Sequence, residues 1–166
     1  MNYQSQLLKE HSRKNTDLIA TAIGNSKTEF KKIVDIIYHE QPPLPQRASW
    51  VLAIVNKKHP ELVMPYLPLF IKTISDFKIG GIKRNMLSVL AGHECPKKME
   101  SKLIDVCFAF LLSNDEPVAV KVYAMQALAN ICKKHPELKN ELKAAIEDQL
   151  PKSSVALYAR AKRILK

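Results

Sequence analysis

A six-residue segment that occurs twice limits what this chain can fold into. The segment Lys-Lys-His-Pro-Glu-Leu stands at residues 57–62 and again, unchanged, at residues 133–138. A looser copy with His, Glu, Pro and Lys lies between them at residues 93–98. Repetition at a fixed period is typical of stacked-repeat proteins, in which each unit packs against its neighbours. The interval of 76 residues is therefore expected to hold two repeat units.

The repeated segment has the chemistry of a junction between two helices. Lys57, Lys58 and His59 suit the last turn of a helix, where the helix dipole favours cations. Pro60 suits the first position of the next helix, because an N–H at that position has no intrahelical partner. Glu61 then falls in the first turn, where the dipole favours an anion. Each copy is therefore expected to end one helix and begin another.

Apolar residues recur with helical spacing between these junctions. The positions i, i+3, i+4 and i+7 are apolar in three stripes and the positions i, i+4, i+7 and i+8 in the fourth, whereas no stretch alternates with the period of a strand. The chain also contains only four glycines, which disfavours a turn-rich β-sandwich and a glycine-rich nucleotide loop. The sequence therefore predicts an all-α fold. The stripes lie at residues 30–37, 67–74, 103–111 and 138–146.

The junctions and stripes divide the chain into one leading helix and four helical hairpins, about nine helices in all. No breaker segment between them is long enough for a domain boundary, so we predict a single domain over residues 1–166. The leading helix is expected at about 3–23, and the hairpins at about 26–59, 60–94, 98–135 and 136–166.

The closing helices of the hairpins carry a family pattern. Residues 115–128 have an acidic turn, then Val-Lys, an alanine three positions later, and finally Ala-Leu. Shifting the chain by 74 or 38 residues places Arg47 or Lys83 on Lys121. The pattern resembles the second half of a HEAT repeat, and the whole chain resembles a group of small bacterial HEAT-like proteins. This resemblance implies a right-handed α-solenoid of HEAT-like hairpins with an extended concave face.

Some members of that group carry the name adenylosuccinate lyase. The lyase superfamily is known by a flexible serine-rich loop that contains Lys-Arg-Asn. Here Lys83-Arg84-Asn85 matches those three residues, but residues 76–82, which precede them, contain no serine. The match is interpreted as chance, and we expect no lyase activity.

Basic residues are the most regular polar feature of the sequence. The chain has 26 Lys+Arg against 16 Asp+Glu, a formal net charge of +10, and the excess is concentrated in the last third. Such a charge attracts phosphate backbones or acidic proteins. Seven basic residues are candidates for binding a partner: Arg47, Lys83, Arg84, Lys121, Arg160, Lys162 and Arg163.

Two hypotheses account for the series Arg47, Lys83 and Lys121. In the first, the series is a structural ladder in which each base pairs with an acid of a neighbouring turn, such as Asp76, Asp115 or Asp148. In the second, it is a basic row along the concave face. HEAT-like stacking implies contacts of the first kind.

The sequence contains no recognisable catalytic or metal-binding motif. It has no GxSxG, HExxH or phosphate-binding loop, and the cluster His93, Glu94 and Cys95 has no further ligand at a telling spacing. Cys95, Cys107 and Cys132 form no CxxC pair, so we interpret them as reduced thiols. We expect no catalytic residue, no cofactor and no metal.

Three functional hypotheses remain open. The first is a non-enzymatic scaffold or adaptor that binds a protein or peptide on its concave face. The alternative is a nucleic-acid-binding protein that uses the basic C-terminal third, distantly like the HEAT-like DNA glycosylases that remove alkylated bases. The third is an enzyme, for which the lyase name is the one prompt.

No signal peptide and no membrane-spanning stretch is apparent in the sequence. We therefore expect a cytoplasmic monomer that does not bind a membrane.

Overall fold

The computed structural model describes residues 1–165, with the side chains of those residues other than Lys152. This part of the chain forms eleven α-helices and five short 3-10 turns and contains no strand, so the all-α prediction is confirmed. None of the described helices is both long and apolar enough to cross a membrane. The α-helices are α1 (Tyr3–Lys9), α2 (Arg13–Ile23), α3 (Lys27–His39), α4 (Leu44–Lys58), α5 (Pro60–Val63), α6 (Leu67–Thr73), α7 (Gly80–Leu90), α8 (Glu100–Leu112), α9 (Val118–Cys132), α10 (Lys139–Gln149) and α11 (Val155–Ile164).

Two predicted helices are divided, which is why the structure has eleven helices where about nine were expected. The leading helix is two helices, because the Ser12 hydroxyl accepts from the Asn15 N–H and caps a new helix, α2. The opening helix of the second hairpin is interrupted by a 3-10 turn, Met64–Tyr66, that contains Pro65. Proline cannot donate the backbone hydrogen bond that a continuous helix needs there.

The first compact unit, Met1–Tyr66, is organised around α4. Helix α3 packs along α4, and α1 and α2 also contact it. The apolar stripes meet in a core in which Phe30, Ile33 and Leu52 have no exposed surface. The Asn15 side chain ties α2 to α1 by donating to the carbonyls of Gln6 (2.9 Å) and Glu10 (2.8 Å).

The second compact unit begins at Leu67 and has two rows of helices. The opening helices α6, α8 and α10 contact one another in succession, as do the closing helices α7, α9 and α11. Helix α8 packs closely along α9 and joins the two rows. We call the row formed by α7, α9 and α11 the second-helix layer.

A glycine lets two turns of this unit come close together. A Cβ atom added at Gly80 would lie 2.7 Å from Cγ of Pro117, well inside van der Waals contact. Gly80 begins α7, and Pro117 immediately precedes α9. The closing helices of consecutive hairpins can therefore start side by side.

The two copies of the repeated segment differ in structure. At the first, Lys57 and Lys58 lie in the last turn of α4 and Pro60 begins α5, as predicted. At the second, α9 ends at Cys132, so Lys133 and Lys134 follow the helix and residues 136–138 form a 3-10 turn. The Lys133 side chain is thereby placed at the end of α9.

Candidate functional site

The Arg47, Lys83 and Lys121 side chains all make intramolecular contacts, although not with the predicted acids. Arg47 on α4 donates from Nη1 to the backbone oxygens of Leu7 (2.7 Å) and Leu8 (3.3 Å). These carbonyls belong to the last turn of α1, which has few intrahelical donors of its own. Arg47 therefore caps a helix instead of pairing with a carboxylate.

Lys83 is the one member of the series that forms an ion pair. Its Nζ contacts a carboxylate oxygen of Glu116, and the two side chains are only 11% and 12% exposed. Nζ also lies 5.0 Å from the centre of the Phe110 ring, which is within the range of a cation–π contact. The ammonium group of Lys83 is therefore largely buried and bonded within the protein.

Lys121 bonds to a neutral side chain. Its Nζ donates to Oε1 of Gln149 at 2.8 Å, and the Gln149 side chain, which is buried, donates from Nε2 to Asp148 at 3.0 Å. The contact joins α9 to the end of α10. The partner of Lys121 is thus a neutral amide, whereas the ladder hypothesis predicted a carboxylate.

The ladder hypothesis is consequently correct for Lys83, which pairs with an acid of a neighbouring turn, and wrong for Arg47 and Lys121, whose partners are neutral oxygen atoms. Asp76 and Asp115 accept from none of the three bases in the described structure, and Asp148 bonds to Gln149. Lys83 and Lys121 each reach the turn of the following hairpin. The hypothesis of a free basic row fails for these three residues because their charged groups are already bonded.

The remaining candidates are distributed over α7 and α11. Arg84 is exposed, and its guanidinium donates to Oδ1 of the buried Asn85 at 2.9 Å from Nη2. Lys83, Arg84 and Asn85 all lie within helix α7, not in a flexible loop of the lyase kind. Lys162 and Arg163 on α11 are exposed.

A chain of hydrogen bonds crosses the second-helix layer. Arg160 on α11 donates from Nη1 to Oε1 of Gln126 at 2.6 Å. Gln126 donates from Nε2 to Oδ1 of Asn130 at 3.1 Å, and Asn130 donates from Nδ2 to the Ala91 carbonyl at 2.8 Å. Each amide orientation is fixed by its neighbour, so the polar surface of the layer is ordered without a ligand.

A concave groove lies beside this chain of hydrogen bonds. It has a volume of about 580 Å³ and is bounded by the end of α9, the start of α10 and the end of α11. We call it the C-terminal groove. Its lining residues are Gln126, Ala129, Asn130, Cys132, Lys133, Lys139, Asn140, Leu142, Lys143, Arg163, Ile164 and Leu165.

Among the described residues that line the groove, four have basic side chains and none has an acidic one. Lys133, Lys139 and Arg163 make no ion pair or side-chain hydrogen bond with another described residue. Lys143 lies 3.9 Å from Glu147, and both of these side chains are more than half exposed. The positive charge of the groove is thus largely uncompensated.

A shallower depression of about 310 Å³ lies on another side of α11. It is lined by Lys162 together with Leu150, Tyr158, Ala161 and Leu165. Tyr158 is 56% exposed, and the nearby Val155 is 87% exposed. Lys162 and Arg163 are consecutive but line different concavities, and only Arg163 belongs to the C-terminal groove.

The His93, Glu94 and Cys95 cluster borders a small pocket of about 160 Å³. Burial raises the pKa of the Cys95 thiol to about 11, and the Glu94 carboxylate is paired with Lys134. Among the described residues, no three His, Cys, Asp or Glu side chains are arranged to hold a metal ion. The cluster has neither the reactive thiolate nor the ligand geometry of a catalytic site.

Comparison with models of protein families identifies the family to which this fold belongs. The model of the HEAT repeat domain matches residues 3–166. The chain belongs to the HEAT repeat family. No curated protein and no solved structure matches it. HEAT repeats are helical hairpins that stack into interaction scaffolds, and α7, α9 and α11 are the closing helices of three such hairpins in this HEAT protein.

Three basic groove residues were absent from the sequence-based candidates. Lys133 was assigned to a helix end, and Lys139 and Lys143 lie on an exposed helix face one turn apart. Lys139 and Lys143 are four residues apart on α10. They share a groove with Arg163 only because α10 and α11 pack against α9. Arg163 is the one groove cation that the sequence predicted.

Proposed function

We propose that this HEAT repeat protein is a non-enzymatic scaffold that binds a protein or peptide partner on the face of its second-helix layer, the concave face of a HEAT-type stack. The observation that carries the proposal is the chain of hydrogen bonds from Arg160 through Gln126 and Asn130 to the Ala91 carbonyl. Side chains that are already ordered lose little conformational entropy when a partner binds. The layer therefore has the properties of a preformed recognition surface.

The contacts of the basic series support a protein partner over nucleic acid. A phosphate backbone needs several available cations along its path, and each neutralised phosphate steepens the salt dependence of binding. Arg47, Lys83, Lys121 and Arg160 already donate to oxygen atoms of the protein itself. What remains for a partner is a mixed surface of amides, aliphatic groups and a few cations.

The experiment is affinity capture from nuclease-treated lysate with two charge-matched variants. Arg84→Glu/Arg160→Glu alters α7 and α11 in the second-helix layer, whereas Lys72→Glu/Lys102→Glu makes the same change of charge on α6 and α8. We expect wild type and the second variant to retain the same protein. We expect the first variant to retain at least about tenfold less of it, because interfacial charge reversal costs several kcal/mol.

Equal retention by both variants, or no protein retained above empty resin, would overturn the proposal. Nucleic acid is examined in parallel by titrating duplex DNA and RNA with the purified protein at rising salt. Tight binding with a linear fall of log K against log salt, without any captured protein, would instead establish the nucleic-acid alternative.

A further inference from the structure

We infer that the C-terminal groove is the docking site for an acidic peptide segment of the partner, one that carries carboxylates around an aliphatic side chain. The inference rests on the proposed scaffold function and specifies where and with what chemistry the partner binds. It follows from three properties of the groove, namely its uncompensated charge, its apolar floor and its ordered amides.

Charge complementarity identifies the ligand as an anion. Lys133, just after α9, Lys139 on α10 and Arg163 on α11 line the groove. None of them makes an ion pair or a side-chain hydrogen bond with another described residue. Burial is the main cause of the raised pKa of the Cys132 thiol, and Glu137 and Glu141 raise that pKa further, yet neither glutamate lines the groove. Like-charged side chains held around one cavity repel one another until an anion enters, and carboxylates form charge-assisted hydrogen bonds with such cations.

The apolar lining distinguishes a peptide from a phosphate backbone. Ala129, Leu142, Ile164 and Leu165 contribute hydrocarbon surface between the cations. The lining contains no aromatic ring on which a base could stack, and stacking is the usual source of affinity for single strands. A peptide with an aliphatic side chain flanked by Asp or Glu can contact the hydrocarbon surface with the first and the cations with the second.

The amides supply donors for a peptide backbone. Gln126 and Asn130 each use one N–H of the NH₂ group in the chain of hydrogen bonds, which leaves the second N–H of each for a ligand. Asn140 on α10 adds a third amide to the lining. The groove volume of about 580 Å³ lies within the range of about 300–1,000 Å³ that is usual for ligand sites.

The first test uses synthetic peptides and the purified full-length chain. The probe is a short fluorescein-labelled peptide of Glu, Leu and Ser, measured by fluorescence anisotropy. Two comparison peptides replace every Glu by Gln or every Leu by Ser. We expect the Glu/Leu peptide to bind at least about tenfold more tightly than either comparison, because it alone provides both the charge and the apolar anchor.

Two matched variants locate the site. Lys133→Glu/Lys139→Glu/Arg163→Glu reverses the groove charge, and Lys72→Glu/Lys97→Glu/Lys102→Glu makes the same change of net charge at exposed lysines elsewhere. We expect the groove variant to lose at least about tenfold in affinity and the control to lose less than about threefold. Ala129→Leu fills the groove at constant charge and is expected to weaken binding as well, so a misfolded triple variant leaves the inference testable.

The outcomes separate the inference from the proposed function. If a captured protein is lost with Arg84→Glu/Arg160→Glu but retained by both groove variants, the groove assignment is wrong and the scaffold function stands. If the Glu/Leu peptide binds wild type and both groove variants equally, or does not bind at all, the inference is overturned. A duplex oligonucleotide that competes with the peptide and binds more tightly also overturns it.

Discussion

Lys83 and Glu116 form an ion pair between α7 and the turn that precedes α9, and the side chains are only 11% and 12% exposed. Removing one member of a buried ion pair destabilises a folded protein more than removing both members does. The remaining charge would be left without a partner and with little water around it.

We predict that Lys83→Met lowers the free energy of unfolding by about 3 kcal/mol, because Glu116 loses its counter-ion. The double variant Lys83→Met/Glu116→Gln should recover more than half of that loss. Urea denaturation followed by circular dichroism measures both values. A double variant no more stable than Lys83→Met would contradict the prediction that the unpaired Glu116 carboxylate causes the loss.

The close approach at Gly80 leads to a second prediction. Gly80→Ala should destabilise the protein by about 1–3 kcal/mol, although alanine normally favours a helix, because the new Cβ collides with the Pro117 ring. Gly80→Ala/Pro117→Ala removes the ring atom in question and should be more stable than Gly80→Ala alone. Thermal unfolding of the three proteins decides the point, and an unchanged midpoint for Gly80→Ala would contradict it.

His135 should make stability fall as pH rises through neutrality. The pKa of His135 lies above the usual value of about 6.5. The hydrogen bond to Glu100 is the largest cause, and the hydrogen bond to Glu137 is the second. The protonated form is thus favoured in the folded protein, and the stabilisation is complete below the ordinary pKa and disappears as pH rises through the raised one. The difference in urea midpoint between wild type and His135→Gln should shrink from about pH 5.5 to about pH 8.5.

The contribution of His93 to stability should depend on pH in the opposite direction, so His93 serves as the control for His135. Burial lowers its pKa, so the folded protein favours the neutral ring. Its contribution is present above the ordinary pKa and is lost as pH falls through the lowered value. The difference between wild type and His93→Gln should therefore grow with pH, and parallel profiles for the two variants would refute at least one of the two assignments.

Two of the three thiols, Cys95 and Cys107, should be protected from alkylation in the folded protein to different degrees. Cys107 is fully buried, and burial strongly raises its pKa, whereas the half-buried Cys95 has a pKa of about 11. At pH 8 about one Cys95 side chain in a thousand would be the reactive thiolate. Alkylation with iodoacetamide followed by mass spectrometry should modify Cys95 slowly and Cys107 only in urea. Rapid labelling of Cys107 without denaturant would contradict this order.

The all-α fold could be predicted because the signals that define it are local. The stripe that contains Phe30 and Ile33 has a spacing of three and four residues, and both side chains are buried as that spacing requires. The division at Ser12 was missed although Ser12 is a good N-cap. No proline or glycine marks a break within residues 9–17, and the bonds from Asn15 to Gln6 and Glu10 that favour one depend on tertiary packing.

The candidate site could be predicted less completely, because it is assembled from distant parts of the chain. Lys133 follows α9, whereas Lys139 and Arg163 belong to α10 and α11, and their shared groove depends on how α10 and α11 pack against α9. The alignment that selected Lys121 identified a structural position correctly. It could not reveal that an amide, Gln149, would be its partner, because neutral and charged acceptors suit the same turn.

The chain of hydrogen bonds across the second-helix layer limits how this protein could evolve by gaining or losing hairpins. Both amides, Gln126 and Asn130, belong to α9, while their partners Arg160 and Ala91 belong to the hairpins on either side. Every donor points the same way, from α11 toward α7. Deleting or exchanging the hairpin that contains α9 would leave a guanidinium and a helix-end carbonyl unsatisfied at once. The three hydrogen bonds therefore join the closing helices of the last three hairpins into one network, although each hairpin has the sequence of a separate repeat.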